Sequence, residues 1–220
     1  MLKYKLDKIK DEIDRLKMVD EVTILVATKC VEAERIDALY ELGITEIGEN
    51  RVQELLEKYD SVKNPFNWHF IGRLQTNKVK YIIDKVKTIQ SVDSERLALE
   101  INKQAIKLGV IMPVLVEVNA GREANKGGVF PENADELCRF INGLSNVSLI
   151  GIMCVFPIGA DEMLYEECKD LFDTLKNKYE GFTVLSMGMS ADYALAVKHG
   201  STMIRVGSAI FGKRNYERIN

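Results

Sequence analysis

The stretch VTILVATKCVEAERI, residues 22–36, holds the decision about fold. Val22 to Ala27 is a buried-strand pattern broken only by Thr23. Lys29 stands where that strand ends, and from 31 to 41 the pattern turns helical. Strand, turn and helix in succession form the repeating unit of an α/β protein. An ammonium at the end of a buried strand is costly unless it is solvated, paired or used. Lys29 therefore asks for a function as well as a place.

The same unit recurs on both sides. Upstream, Leu2, Leu6, Ile9, Ile13 and Leu16 fall at helical spacing and predict an extra N-terminal helix. Strand patterns run at 22–28, 44–48, 67–72, 87–92, 112–119, 147–156, 183–187 and 201–206. Helical patterns lie between them at 31–41, 50–58, 76–85, 94–108, 132–142, 163–179 and 190–198. PVLVEVN and LIGIMCVF are apolar on both faces, as strands of a helix-covered parallel sheet are. Eight strands alternating with helices imply a closed (β/α)₈ barrel of the TIM type; a doubly wound open sheet is the alternative. No composition break divides the 220 residues, so residues 1–220 read as a single domain.

Composition narrows the function. A net charge of −3 gives no general attraction to polyanions, so nucleic acid is not an expected partner. The N-terminal segment is charged throughout and lacks the apolar core of a signal peptide. The longest apolar run, Leu149 to Ile158, is too short to span a bilayer, so no membrane association is expected. Cys30, Cys138, Cys154 and Cys168 show neither CxxC nor metal-ligand spacing and read as reduced thiols. A cytoplasmic location is the expectation.

In such barrels the chemistry gathers at the C-terminal ends of the strands. Lys29 falls there, as do Gly48, Glu49 and Asn50, His69, and Met153 with Cys154. SMGMSADYA follows strand seven and offers Ser190 as a helix N-cap with Asp192 in the first turn. RVGSAIFG follows strand eight and offers Gly207 and Ser208. The loops after strands seven and eight are where barrels commonly hold a phosphate. A lysine facing a phosphate cup suits either a phosphorylated sugar or pyridoxal phosphate, whose aldehyde condenses with a lysine. Arg205 shares a strand side with Gly207 and needs an acceptor, which a pyridine nitrogen or a glutamate such as Glu117 or Glu49 would supply.

ATK, GEN, HFIGRLQTNK, SMGMSADY and STMIRVGSAIFGKR together resemble the YggS/PROSC family of pyridoxal-phosphate-binding proteins, over nearly the whole chain. That family is similar in turn to the barrel domain of alanine racemase, a fold type III pyridoxal-phosphate enzyme. The resemblance implies that Lys29 carries the cofactor as a Schiff base and that Ser190, Gly207 and Ser208 hold its phosphate. It further implies that Arg205 faces the pyridine nitrogen, with Asn50 and Met187 near the ring. Lys126 matches a family lysine that is not the Schiff-base residue. Some members carry a second lysine two positions after the first, where this chain has Val31.

The function so implied is pyridoxal phosphate homeostasis, by buffering or delivery to pyridoxal-phosphate-dependent apoenzymes, without robust catalysis. The alternative is a low-activity amino-acid racemase. Racemisation needs acid–base groups on both faces of the substrate. In alanine racemase the second base comes from a β-rich domain; with 12 residues after Ser208, no such domain is expected here. His69 and Tyr193 are the substitutes the sequence offers. The racemase dimerises through that same domain, so a monomer is expected.

Overall fold

The computed structural model describes residues 1–212. Lys213 and Arg214, the end of the last motif, and the rest of the 1–220 span lie outside the described residues. After helix α1 (Leu2–Leu16) come β1 (Thr23–Ala27), α2 (Ala33–Tyr40), β2 (Glu46–Glu49), α3 (Val52–Tyr59) and β3 (Asn67–Phe70). A 3₁₀ helix (Thr76–Tyr81) leads to β4 (Thr88–Val92), α4 (Glu95–Leu108) and β5 (Met112–Asn119). A short 3₁₀ turn (Pro131–Asn133) precedes α5 (Ala134–Asn142), β6 (Val147–Val155) and α6 (Glu162–Lys176). The chain continues through β7 (Val184–Met189), α7 (Tyr193–Lys198), β8 (Met203–Val206) and α8 (Ser208–Phe211).

All eight strands pair in parallel and in chain order, and β8 pairs back onto β1, so the sheet closes into a barrel. The open-sheet alternative is thereby excluded. Side chains alternate across each strand, which divides the buried residues into two populations. Leu185, Met187, Ile204 and Val206 join the continuous core between sheet and helices, while Leu25, Leu115, Met153 and Met203 are equally buried but stand apart from it, inside the barrel. Helix α1 buries Leu6, Ile9 and Ile13 and packs against α7 and α8.

The structure corrects several expected boundaries. The helix expected over 76–85 is a 3₁₀ helix of six residues. A 3₁₀ winding stacks residues three apart, and here that puts the buried, β-branched Val79 and Ile82 over one another. The helix expected to reach 179 stops at Lys176, because Tyr179 turns inward and donates its hydroxyl to Asp135 Oδ1 at 2.8 Å. The helix expected from 190 begins at Tyr193. Helix α8 has four residues, too few to leave a periodicity in sequence.

Candidate functional site

A cleft of about 360 Å³ opens among the C-terminal strand ends and is lined by Ala27, Lys29, Asn50, Ile71, Met153, Val155, Met189, Ser190, Ala191, Arg205, Gly207 and Ser208. Six of the seven expected site residues meet there. Met187 does not line it: the residue is fully buried in the outer core, and Met189, two positions on, takes the place at the cleft wall. Lys126 also lies elsewhere, exposed in the loop after β5.

Lys29 sits one residue past Thr28 in a turn that is built rather than loose. Thr28 Oγ1 donates to Glu49 Oε1 at 2.7 Å, and its backbone N–H donates to the Gly48 carbonyl at 3.0 Å. Behind it, Lys58 Nζ donates to the Thr28 carbonyl at 2.9 Å, to Glu49 Oε1 at 2.8 Å and to Glu54 Oε2 at 3.0 Å. Glu54 Oε2 also accepts the Cys30 N–H at 2.8 Å. Cys30 is one of two non-glycine residues with a left-handed backbone among the described residues, φ 59°, a strain that the Glu54 contact holds in place. Burial pushes the Glu49 carboxyl up, against the pull of Lys58 and Thr28. Glu54 is held below its ordinary value, because the Cys30 and Lys58 bonds outweigh its burial. The Lys29 side chain itself makes no hydrogen bond or ion pair among the described residues and is half-buried against the cleft.

Asn50 follows β2 directly. Its backbone is pressed by Gly72 of the GRL turn: a Cβ at Gly72 would stand 2.1 Å from the Asn50 carbonyl oxygen, so only glycine fits. Gly188, at φ +92°, lets β7 approach α7: a Cβ there would stand 2.5 Å from the Ala196 Cβ.

Ser190 was expected to cap the helix after strand seven. Asp192 takes the N-cap position instead, with its Oδ1 accepting the Met189 N–H at 2.6 Å. This frees Ser190 to reach across to the next loop, where its Oγ accepts from Gly207 N at 3.0 Å and Ala209 N at 3.1 Å. The two loops are thus pinned together. The backbone N–H groups of Ser190, Ala191 and Ser208 have no partner among the described residues and stand at the cleft wall.

Arg205 is 6% exposed and lines the cleft floor. Nη1 donates to the Ser186 carbonyl at 2.8 Å and to Ser186 Oγ at 2.9 Å, and Nη2 donates to the Cys154 carbonyl at 2.9 Å. Its partners are neutral, and neither glutamate weighed from sequence pairs with it. Glu49 belongs to Lys58. Glu117 keeps a buried oxygen, Oε2, without a hydrogen-bond partner among the described residues. Burial pulls the guanidinium below its ordinary value, opposed by the fields of Cys154, Asp192 and Glu117. The two substitute bases lie away from the cleft. His69 is 3% exposed inside the barrel, against Glu46 and Gln90, and the Tyr193 hydroxyl donates to Glu12 of α1.

Sequence comparison places this cleft in a family. Residues 5–215 match the model of the alanine racemase N-terminal domain. Over 199 residues the chain is 44% identical to the pyridoxal phosphate homeostasis protein of Aquifex aeolicus (strain VF5), covering 88% of this chain and 87% of that one. The chain belongs to the pyridoxal phosphate homeostasis protein family. The structure of PipY from Synechococcus elongatus PCC7942 with pyridoxal phosphate bound superposes with a TM-score of 0.85 at 28% identity, covering 96% of this chain and all of PipY. An alanine racemase from Clostridium difficile 630 shares the barrel at a TM-score of 0.74 and 19% identity, covering 98% of this chain and 56% of the racemase. The signals missed from sequence were Glu54 and Lys58 of this family member. Four residues apart on one helix, they read as an ordinary surface pair.

Proposed function

We propose that this homeostasis-family protein binds pyridoxal 5′-phosphate on Lys29, and buffers or delivers it without robust catalysis of its own. The observation that carries the reading is the Lys29 turn: a clamp of Glu49, Glu54 and Lys58 fixes its backbone, while its amine is left unbonded at the edge of a cleft whose far wall offers unpartnered N–H groups. When bound, the cofactor supplies an aldehyde that condenses with the lysine amine, releasing water, and a ring that can act as electron sink. Everything else falls to the chain. Ser190, Gly207 and Ser208 would receive the phosphate, Asn50 would flank the ring, and Arg205 would donate toward the ring nitrogen. An arginine does not readily yield its proton, so the ring nitrogen opposite it stays unprotonated and the sink is weak. The cleft volume falls within the range of small-molecule sites.

Among the described residues, Lys29 and Arg205 are the ionisable ones lining the cleft. A racemase needs a second proton-transfer group opposite the lysine. His69 and Tyr193 do not line the cleft and are bonded to Glu46 and Glu12, which argues for holding the cofactor rather than turning it over. We further propose a monomeric, cytoplasmic protein whose partners are the cofactor and apoenzymes that receive it. The free thiols support a reducing compartment, and no helix among the described residues is long and apolar enough to cross a membrane.

The test is a titration with pyridoxal phosphate followed in the visible spectrum. Wild type should develop an absorption band that Lys29→Ala lacks while keeping its thermal unfolding transition. A band of equal strength in both would refute the assignment.

A further inference from the structure

A second polar assembly runs through the barrel lumen. From Arg205 the hydrogen bonds pass to Ser186 Oγ, which donates to Gln90 Oε1 at 2.8 Å. Gln90 Nε2 lies 3.0 Å from His69 Nδ1, and His69 Nε2 lies 2.6 Å from Glu46 Oε2. Gln90 on β4 meets Ser186 on β7 and the Met203 sulfur on β8, strands that do not pair with β4, so these contacts cross the lumen. Ser186 and Gln90 are fully buried. Glu46 begins β2, at the end of the barrel opposite the cleft, and lines a separate cavity of about 400 Å³ beneath α1.

The direction of every link follows from donor chemistry. An arginine can only donate, so Ser186 Oγ accepts from it and gives its own proton to Gln90 Oε1. That fixes the Gln90 amide with its NH₂ toward His69, whose Nδ1 must then accept. The ring proton therefore sits on Nε2 and is donated to the Glu46 carboxylate. All links donate the same way, from a buried cation at the cleft floor to an anion at the far end. Aligned hydrogen bonds of this kind polarise one another in a low dielectric. Glu46 is suited to the terminal place: burial pushes its carboxyl up, but the bonds from His69 and Asn67 outweigh it and bring it down to about 2.

We propose that Ser186, Gln90, His69 and Glu46 are positioning residues for Arg205, forming one polarised hydrogen-bonded chain that fixes its guanidinium at the cleft floor and ends on a carboxylate at the opposite end of the barrel. The functional part of this rests on the cleft being the cofactor site. The geometric part does not.

The experiment has two arms. In cofactor-free protein, ¹⁵N NMR of the side chains of the two histidines, with His199→Asn to assign them, should show neutral His69 protonated on Nε2. Gln90→Glu places a carboxylate on each side of the ring, and His69 should then carry protons on both nitrogens at pH 7.5. A His69 signal unchanged by Gln90→Glu, or an Nδ1–H tautomer in wild type, overturns the chain. Where Gln90→Glu fails to fold, Glu46→Gln, at a half-buried site, should still move the Nε2 signal, and an unmoved signal overturns the chain equally. In the second arm pyridoxal phosphate is titrated into Gln90→Leu, Gln90→Glu and Glu46→Gln, none of which alters a cleft-lining residue. Gln90→Leu and Glu46→Gln should displace the visible band and raise Kd on the order of tenfold, while Gln90→Glu, which keeps the Ser186 and His69 contacts although the His69 link then donates the other way, should hold Kd near wild type. Wild-type Kd and spectrum in Gln90→Leu and Glu46→Gln would overturn the positioning role while leaving the cofactor reading standing. Absence of a Lys29-dependent band in wild type would instead defeat the cofactor reading, with the tautomer arm still deciding the chain.

Discussion

Lys58 Nζ lies 2.9 Å from the carbonyl oxygen of Thr28, the residue before Lys29. The same ammonium joins Glu49 and Glu54, so one partly buried cation ties the end of β1 to the end of β2 and to α3. Lys29 is thus placed by a second lysine, Lys58, that does not line the cleft.

Replacing Lys58 by Met would remove these bonds and leave Glu49, whose side chain is fully buried, without its counter-ion. Breaking a buried pair by deleting one partner costs about 3–5 kcal/mol. Urea unfolding should report a loss of that order, and pyridoxal phosphate should load more weakly onto Lys29 in the folded fraction. Lys58→Arg should recover part of both. Unchanged loading in Lys58→Met would show that the turn holds its shape without the clamp.

Glu117 sets a pH dependence. It pairs in register with Met153 of the cleft wall. Burial, reinforced by Asp93 and opposed by Arg205 and Arg73, raises its carboxyl from 4.5 to about 7. The folded state therefore holds this proton more tightly than the unfolded chain. The favourable contribution is complete below pH 4.5 and is lost as pH rises through about 7. That difference corresponds to ~3 kcal/mol. Glu117→Gln should leave stability near pH 4 little changed and raise it, relative to wild type, at pH 8. Urea melts at the two values check this, and a wild-type-minus-variant difference independent of pH contradicts it.

The proposed phosphate site makes a third claim. A charge-assisted hydrogen bond contributes about 1.5–3 kcal/mol, so losing two weakens binding by at least ~100-fold. Pyridoxal, with the aldehyde but no phosphate, should bind that much more weakly than pyridoxal phosphate in a spectral titration. Gly207→Asp should harm binding more than Ser190→Ala. Gly207 has φ −137°, outside the left-handed region, so the damage would come from added charge and bulk at the cleft wall. Ser190→Ala removes only the hydroxyl that pins the two loops. Equal affinity for pyridoxal and its phosphate would show that these loops are ordinary turns.

The barrel was legible because its strands are buried on both faces, and β5 states this outright with Val114, Leu115, Val116 and Val118 all inaccessible. Lys29, Asn50, Ser190, Arg205, Gly207 and Ser208 were legible because each stands at a strand end, where topology alone brings distant residues together. Met187 was misplaced for a local reason. The register shifts between Ser186 and Met189 on β7, and with it which methionine reaches the cleft wall. Ser190 was assigned a cap that Asp192 holds, because either residue suits an N-cap and sequence does not rank them. The lumen chain could not be read at all. His69 and Gln90 lie 21 positions apart, and Gln90 and Ser186 lie 96 apart. Only closure of the barrel makes them neighbours.

The central claim is that Lys29 carries the cofactor. Protein loaded with pyridoxal phosphate, reduced with borohydride and digested should yield a single labelled peptide, with the pyridoxyl group on Lys29. Val31 occupies the position of a possible second amine, so no label is expected beyond Lys29 in that peptide. A label on Lys126, on Lys58 or on any lysine other than Lys29 would contradict the account.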